Sequence, residues 1–184
     1  QTISFWAKYS STPADSQNVL ASIGASNAVQ VGFRSGSPAA WKYGGTILVS
    51  GSAQTTNTWH QYTFVTNGSS HTLYIDGANA GTGDAALLSG SPTAAYLGTW
   101  NGSEELFAGS MDEARISSTA RSASWAAFEY ANMSTAGNKL SSATEESVVS
   151  TWLYRKTITI QNDNVTSDLT NFPLLVRINA DTDI

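Results

Sequence analysis

The chain has 184 residues, of which 41 % are hydrophobic and only 12 % are charged, against about 25 % in an ordinary globular domain. It can therefore bury a core while its surface relies on hydroxyl and amide groups. The net charge of −5 removes the electrostatic basis for binding nucleic acid, the lack of cysteine excludes disulfides, and the chain has no run of about 18 apolar residues that could span a membrane.

Short segments of alternating apolar and polar residues, separated by glycine, serine and asparagine, fill the first part of the chain. In the first segment Ile3, Phe5 and Ala7 share one face, because side chains alternate along a strand. A spacing of roughly ten residues between such segments is typical of an antiparallel sandwich. The predicted strands cover residues 2–8, 19–23, 29–33, 46–49, 59–65, 73–76, 94–100 and 106–116.

Residues 122–131 break this alternation. Trp125 and Phe128 recur at helical spacing, and Ser122 or Ser124 can cap the helix start. We therefore predict an all-β protein, built as a two-sheet antiparallel jelly-roll sandwich over residues 1–131 with one short helix.

The last third of the chain differs in composition. Residues 132–150 are polar and rich in small side chains, which predicts a linker. Residues 151–184 alternate again, with Phe172, Leu174, Val176 and Ile178 on one face. This segment predicts a C-terminal β tail, either an incomplete part of a second domain or a donor of strands.

Several motifs occur in a fixed order along the first domain. They are Thr2-Ile3-Ser4-Phe5-Trp6-Ala7-Lys8, Trp59-His60, Leu73-Tyr74-Ile75-Asp76-Gly77, Tyr96-Leu97-Gly98, and Phe107-Ala108-Gly109-Ser110-Met111-Asp112-Glu113. Together they resemble the laminin-G-like, concanavalin-A-like jelly-roll family over about residues 1–131. The resemblance implies two antiparallel sheets, one of them concave, and it implies that a first strand before Phe5 and Trp6 is missing.

The tail resembles a second family through Tyr154-Arg155-Lys156-Thr157-Ile158 and Leu169-Thr170-Asn171-Phe172-Pro173-Leu174. This resemblance is to the opening of a domain of unknown function that neighbours laminin-G-like modules in surface proteins of bacteria and archaea. Because Gln1 opens directly into a strand, we expect the chain to be a fragment or a processed piece of a longer protein.

The pair Asp112-Glu113 stands where members of the jelly-roll family often have acidic residues. Calcium prefers several oxygen ligands from carboxylates and carbonyls. The resemblance thus implies that Asp112 helps to hold a structural calcium ion. The alternative is that Asp112 accepts hydrogen bonds from backbone amides near the sheet edge.

Six tryptophans are many for this length, and they divide into two groups. Trp6, Trp59 and Trp125 stand inside strongly periodic segments, which predicts packing in the core. Trp41, Tyr43 and Trp100 flank loops, and these three are the predicted ligand-binding residues, which would stack on sugar rings.

Nothing in the sequence predicts catalysis. His60 and His71 have no nucleophile motif near them, and the adjacent acids Glu104 and Glu105 would point to opposite faces of a strand. Retaining and inverting glycosidases instead need two carboxylates that flank one bond. The jelly-roll family includes glycoside-active enzymes. Such an enzyme is nevertheless the least favoured hypothesis for this chain.

Two functions remain. The first is a non-catalytic extracellular or cell-surface module that binds carbohydrate or a surface polymer. The second is a structural subunit of a filament or surface assembly, in which the Trp6 strand lacks a neighbour and the strands of residues 154–178 complement an edge, preferably of a neighbouring subunit.

Overall fold

The computed structural model describes residues 1–13, 16–23, 29–42, 44–86, 93–134, 140–142, 146–147, 154–155 and 158–160. It divides into two compact units, residues 1–123 and 124–184. The first unit holds ten strands: β1 (Thr2–Tyr9), β2 (Gln17–Ile23), β3 (Val29–Arg34), β4 (Ser37–Lys42), β5 (Ile47–Ser50), β6 (His60–Asn67), β7 (Ser70–Ile75), β8 (Ala78–Gly83), β9 (Ala94–Leu97) and β10 (Gly109–Ser117).

These strands form two antiparallel five-stranded sheets, as the alternation predicts. The first sheet has the order β10-β1-β6-β7-β8, and the second has the order β5-β4-β3-β2-β9. Short turns set the register of the hairpins: Asp76 and Gly77 both have positive φ, 51° and 76°, in the two-residue turn between β7 and β8. The predicted sandwich is thereby confirmed.

The core lies between the inward faces of the two sheets. Phe33 of β3 contacts Tyr62 of β6 with ring centroids 5.3 Å apart and planes at 87°, an edge-to-face pair that joins one sheet to the other. Phe5 and Phe64 are buried beside them. Burial of each such aromatic side chain contributes roughly 1.5–3 kcal/mol, so this cluster holds the two sheets together.

The sheets approach each other closely where β5 and β8 run along one side of the sandwich. A Cβ at Gly81 would collide with the backbone carbonyl oxygen of Ser50, and one at Gly83 would collide with that of Leu48. Glycine at these two positions of β8 is therefore what allows the backbones to come so near.

The second unit contains the helix α1 (Ala123–Met133) and four short strands. The helix starts directly after Ser122, which confirms the predicted helix over residues 122–131 within two residues. Trp125 and Phe128 are buried, so the core prediction for Trp125 is confirmed. No helix within the described ranges is long and apolar enough to cross a membrane.

The four short strands of the second unit pair among themselves. They are β11 (Leu140–Ser142), β12 (Glu146–Ser147), β13 (Tyr154–Arg155) and β14 (Ile158–Ile160), with β11 paired to β14 and β12 to β13. The predicted apolar face of Phe172, Leu174, Val176 and Ile178 lies outside the described residues.

Two sequence-based expectations about the first sheet are wrong. The Trp6 strand does not lack a neighbour, because β1 pairs with β10 on one side and with β6 on the other. Trp59 is not a core residue, because it precedes β6 at the rim of the sheet and its side chain is 39 % exposed. Trp6 itself is half-buried.

Candidate functional site

The alternation of β3 and β4 decides which of their side chains leave the core. Val31, Phe33 and Ala40 belong to the buried cluster between the sheets. Their neighbours in sequence therefore point to the opposite side of the second sheet, which we call the outer face. It carries Asn18, Gln30, Arg34, Ala39 and Trp41, and Gln30 stands directly opposite Trp41 in the register of β3 and β4.

Trp41 lies on this outer face but is only 2 % exposed. The Arg34 guanidinium lies over its indole ring, with the Cζ atom 5.9 Å from the ring centroid. Nη1 of Arg34 also donates a hydrogen bond to the carbonyl oxygen of Gly45 at 2.6 Å. The predicted contact between Trp41 and a ligand stays a prediction, and direct stacking on the indole requires Arg34 to move.

Two amide side chains accompany the tryptophan. Gln30 is 6 % exposed, and its Oε1 atom has no hydrogen-bond partner among the described residues. Asn18 is fully buried and donates from Nδ2 to Oε2 of Glu105 at 2.5 Å, while its Oδ1 atom has no partner within the described part of the chain. A buried polar atom without a partner costs free energy, so these two oxygens are disposed to accept hydrogen bonds.

Trp100 stands in the loop after β9, and the loop has a fixed shape. The Trp100 backbone N–H donates to the Glu104 carbonyl at 2.9 Å, and Oδ1 of Asn101 accepts hydrogen bonds from the backbone N–H groups of Ser103 and Glu104. The side chain of Trp100 is half-buried. Since β3 and β2 separate β4 from β9, the strand of Trp41 and the strand that precedes Trp100 are not neighbours in the sheet. Tyr43, the third predicted ligand residue, lies outside the described residues.

Asp112 lies on β10 of the first sheet, whereas Trp41 lies on β4 of the second sheet. It is exposed on β10 opposite Trp6, and its Oδ1 atom accepts the backbone N–H of Glu113 at 2.8 Å. This bond is the alternative role foreseen for Asp112. No group of three or more histidine, aspartate or glutamate side chains gathers for a metal among the described residues, and the calcium ion stays a prediction.

Two tyrosines are buried near the end of the first sheet. Burial, with smaller contributions from Tyr9 and Asp76, raises the pKa of the Tyr62 phenol well above its ordinary value. The pKa of Tyr9 is also raised by burial, although its hydroxyl donates to the Gln54 carbonyl at 2.8 Å. These hydroxyl groups stay neutral at physiological pH and belong to the core rather than to a reactive site.

Residues of the outer face other than Trp41 were missed by the sequence prediction. The signal was present for Gln30, because a polar residue between Val29 and Val31 must leave the core in an alternating strand. It was present for Arg34 in the same way. Asn18 and Glu105 meet only through the folded loop, so their sequence positions give no hint of the contact.

The family model described as the concanavalin A-like lectin/glucanases superfamily matches residues 1–127, more than half of the chain. The chain belongs to this superfamily. The match agrees with the two five-stranded sheets and confirms the first resemblance. The resemblance of the tail to a second domain stays a prediction.

Two solved structures have a fold similar to that of this chain. Domain 4 of AbnA, a GH43 extracellular arabinanase from Geobacillus stearothermophilus in complex with arabinotriose, is 19 % identical, with a TM-score of 0.56 over 69 % of this chain and 64 % of that one. A candidate carbohydrate binding protein from Bacteroides ovatus ATCC 8483 is 16 % identical, with a TM-score of 0.52 over 87 % of this chain and 53 % of that one. The chain thus spans less than two thirds of either structure. No curated protein matches it.

The outer face of this concanavalin A-like sandwich therefore combines three kinds of group. The Trp41 indole is buried beneath the Arg34 guanidinium, the guanidinium supplies charged N–H donors, and the amides of Gln30 and Asn18 carry oxygens without a partner among the described residues. Binding sites for small molecules typically combine aromatic surface with a few such polar groups. The outer face therefore groups an aromatic ring with polar side chains, and it is the candidate site.

Proposed function

We propose that the first unit is a non-catalytic carbohydrate-binding module of an extracellular or cell-surface protein, with the outer face of the second sheet as its binding face. The fold supports this, because one structural neighbour is a domain of an extracellular arabinanase in complex with arabinotriose and another is a candidate carbohydrate binding protein. Carbohydrate or a sugar-containing surface polymer is the partner.

The observation that carries the proposal is the state of Gln30. Its side chain is buried beside Trp41 in the register of the sheet, and its Oε1 atom has no partner among the described residues. An unsatisfied buried acceptor costs about 1–3 kcal/mol. A sugar hydroxyl that donates to Oε1 would remove this cost, so binding would be favoured at this position.

The non-catalytic part of the proposal rests on the acids nearest the face. Oε2 of Glu104 accepts from Nδ2 of Asn101 at 2.6 Å, and Oε2 of Glu105 accepts from Nδ2 of Asn18. Each carboxylate is thus held by an amide, Glu104 by Asn101 of the same loop and Glu105 by Asn18 of β2. A glycosidase needs an acid and a nucleophile or base that face the scissile bond from two sides. The hydrogen bonds of these two carboxylates fit a role in fixing the loop better than a role in catalysis.

The test is titration calorimetry with arabino-, xylo-, gluco-, galacto- and galacturono-oligosaccharides. We expect Gln30→Leu to lose at least about tenfold in affinity for whichever sugar binds, because the hydrogen bond to the ligand is removed without leaving a new buried polar atom. Trp59→Ala is the matched control, since Trp59 is an exposed tryptophan near the other sheet. Loss of binding in Trp59→Ala but not in Gln30→Leu would place the site elsewhere, and lack of binding to every sugar would overturn the function.

A second candidate is a structural subunit of a filament or surface assembly. It is favoured by large apolar side chains that remain exposed on or beside the edge strands β9 and β10, namely Leu97, Leu106 and Ile116. A sheet edge with exposed apolar residues can accept a further strand. The sequence pattern of residues 172–178 fits such a strand, supplied by a second copy.

Light scattering on the full chain and on a variant lacking residues 151–184 tests this candidate. We expect polymers of the full chain and monomers of the truncated variant if the tail joins copies. Ile116→Lys in the full chain is a second probe, because a charge on the exposed edge strand opposes strand addition. An unchanged assembly state in both variants would remove the structural candidate.

A further inference from the structure

Arg34 is a cation in a fixed position on the outer face. Its guanidinium rests on Trp41 at 5.9 Å from the ring centroid, and its Nη1 atom donates to the Gly45 carbonyl at 2.6 Å. The residues between Arg34 and Trp41 in the outward row, Gly32 and Ala39, are small. The side chain can therefore lie along the sheet, with its guanidinium held by the Trp41 ring and by the Gly45 carbonyl.

The other donors of Arg34 are uncommitted. No carboxylate in the described part of the chain lies within the 4.0 Å that defines an ion pair with this guanidinium, whereas Arg115 pairs with Glu113 at 2.5 Å. This is unexpected on charge alone, since the chain has 14 acidic and 9 basic residues. Guanidinium groups bind carboxylates with two parallel hydrogen bonds, and a preorganised guanidinium does so at a small entropic cost.

We propose that Arg34 recognises the carboxylate of an acidic sugar, so that the ligand of the outer face is a polysaccharide containing uronic acid. This inference rests on the proposed function, because it specifies the sugar bound at the same face. The sugar carboxylate accepts from the outward N–H groups of Arg34, which stands four positions along β3 from Gln30. The indole of Trp41 stays beneath the guanidinium and holds it in place.

The distribution of the other described cations supports this assignment. Nζ of Lys42 donates to the Ala86 carbonyl, Arg115 is paired with Glu113, and Nζ of Lys8 lies 5.3 Å from the Trp59 ring centroid near the other sheet. Arg34 differs from these three in combining an aromatic support, a single backbone anchor and no acidic partner among the described residues. Lys8 repeats the cation-over-tryptophan arrangement away from the outer face, so it provides a matched control.

The test is calorimetry with trigalacturonate and its neutral counterpart galactotriose, at low and at physiological salt. We expect the wild-type chain to bind trigalacturonate at least about tenfold more tightly, a preference that shrinks as salt rises. Arg34→Gln should lose the preference for trigalacturonate over galactotriose. Arg34→Lys, which keeps the charge but not the two-pronged geometry, should retain only part of the preference. Lys8→Gln should behave as wild type.

The outcomes distinguish a failure of the role of Arg34 from a failure of carbohydrate binding itself. Equal binding of the two trisaccharides by wild type, or an unchanged preference in Arg34→Gln, overturns the role of Arg34 and leaves carbohydrate binding intact. Lack of binding to both trisaccharides and to every neutral sugar overturns both. If the melting temperature shows that Arg34→Gln fails to fold, Arg34→Lys decides, because a preference as large as that of wild type contradicts two-pronged recognition.

Discussion

The Nδ1 atom of His60 lies 2.6 Å from Oδ2 of Asp76, and the two residues are 16 positions apart in the chain. The other carboxylate oxygen of Asp76 accepts the backbone N–H of Gln61 at 2.9 Å, and the backbone N–H of Asp76 donates to the Gln61 carbonyl at 2.9 Å. Asp76 thus fastens the turn between β7 and β8 to the start of β6. The two separated motifs that carry the family resemblance, Trp59-His60 and Asp76-Gly77, are therefore the two halves of one structural link.

This link predicts a large cost for Asp76→Ala. The substitution removes two hydrogen bonds that end on the Asp76 carboxylate and places alanine at a φ of 51°, so we expect the unfolding free energy to fall by about 2–4 kcal/mol. Urea unfolding followed by circular dichroism measures this loss. Asp112→Ala is the control, with all proteins measured in chelator, since its exposed carboxylate accepts from the backbone N–H of the next residue, and we expect a change within about 0.5 kcal/mol. Equal losses in the two variants would contradict the link.

Trp59 and Phe33 differ in burial, which sets the cost of truncation. Phe33 is 0 % exposed at the centre of the core, so Phe33→Ala should reduce the unfolding free energy by about 3–5 kcal/mol. Trp59 is partly exposed and has Lys8 Nζ 5.3 Å from its ring centroid, so Trp59→Ala should cost only about 1 kcal/mol. Denaturant midpoints of the two variants check this, and similar midpoints would show that Trp59 packs as a core residue.

Alternation along the chain was sufficient to predict the sandwich. It puts Tyr62 and Phe64 on one face of β6, and both are buried between the sheets. The same rule failed for Trp59, because alternation tells which side of a sheet a side chain takes but not whether the strand continues to that residue or what covers it. Trp59 precedes β6 and so lies at the rim.

Only part of the candidate site could be predicted, because alternation gives the side of the sheet but not what covers a side chain. The strand pattern places Trp41 on the side opposite the core, but the cover over its indole comes from Arg34, which is anchored by Gly45 in a turn where Gly44 and Gly45 both have positive φ. Such a cover depends on the path of a loop after the strand. The meeting of Asn18 with Glu105, which are 87 positions apart, likewise depends on the folded chain.

The calcium prediction at Asp112 can be checked by its effect on stability. A metal ion that binds only the folded state raises the melting temperature, so chelation should lower that of the wild-type chain. Asp112→Asn removes the charge needed to hold the ion, and its melting temperature should not respond to chelator. If chelation leaves the wild-type melting temperature unchanged, Asp112 serves only the backbone N–H of Glu113, which it already accepts.

The last prediction concerns alkaline pH and Tyr62. Burial raises the pKa of its phenol in the folded chain, while in the unfolded chain the phenol ionises at about pH 10. Above that pH the unfolded state loses a proton that the folded state keeps, so the stability present below pH 10 decreases as the pH rises. The Tyr62 hydroxyl has no hydrogen-bond partner among the described residues, so Tyr62→Phe should change stability at pH 7 by less than about 1 kcal/mol. Urea midpoints between pH 7 and 11 should fall less steeply for Tyr62→Phe than for wild type, and parallel curves would show that Tyr62 does not govern the alkaline loss.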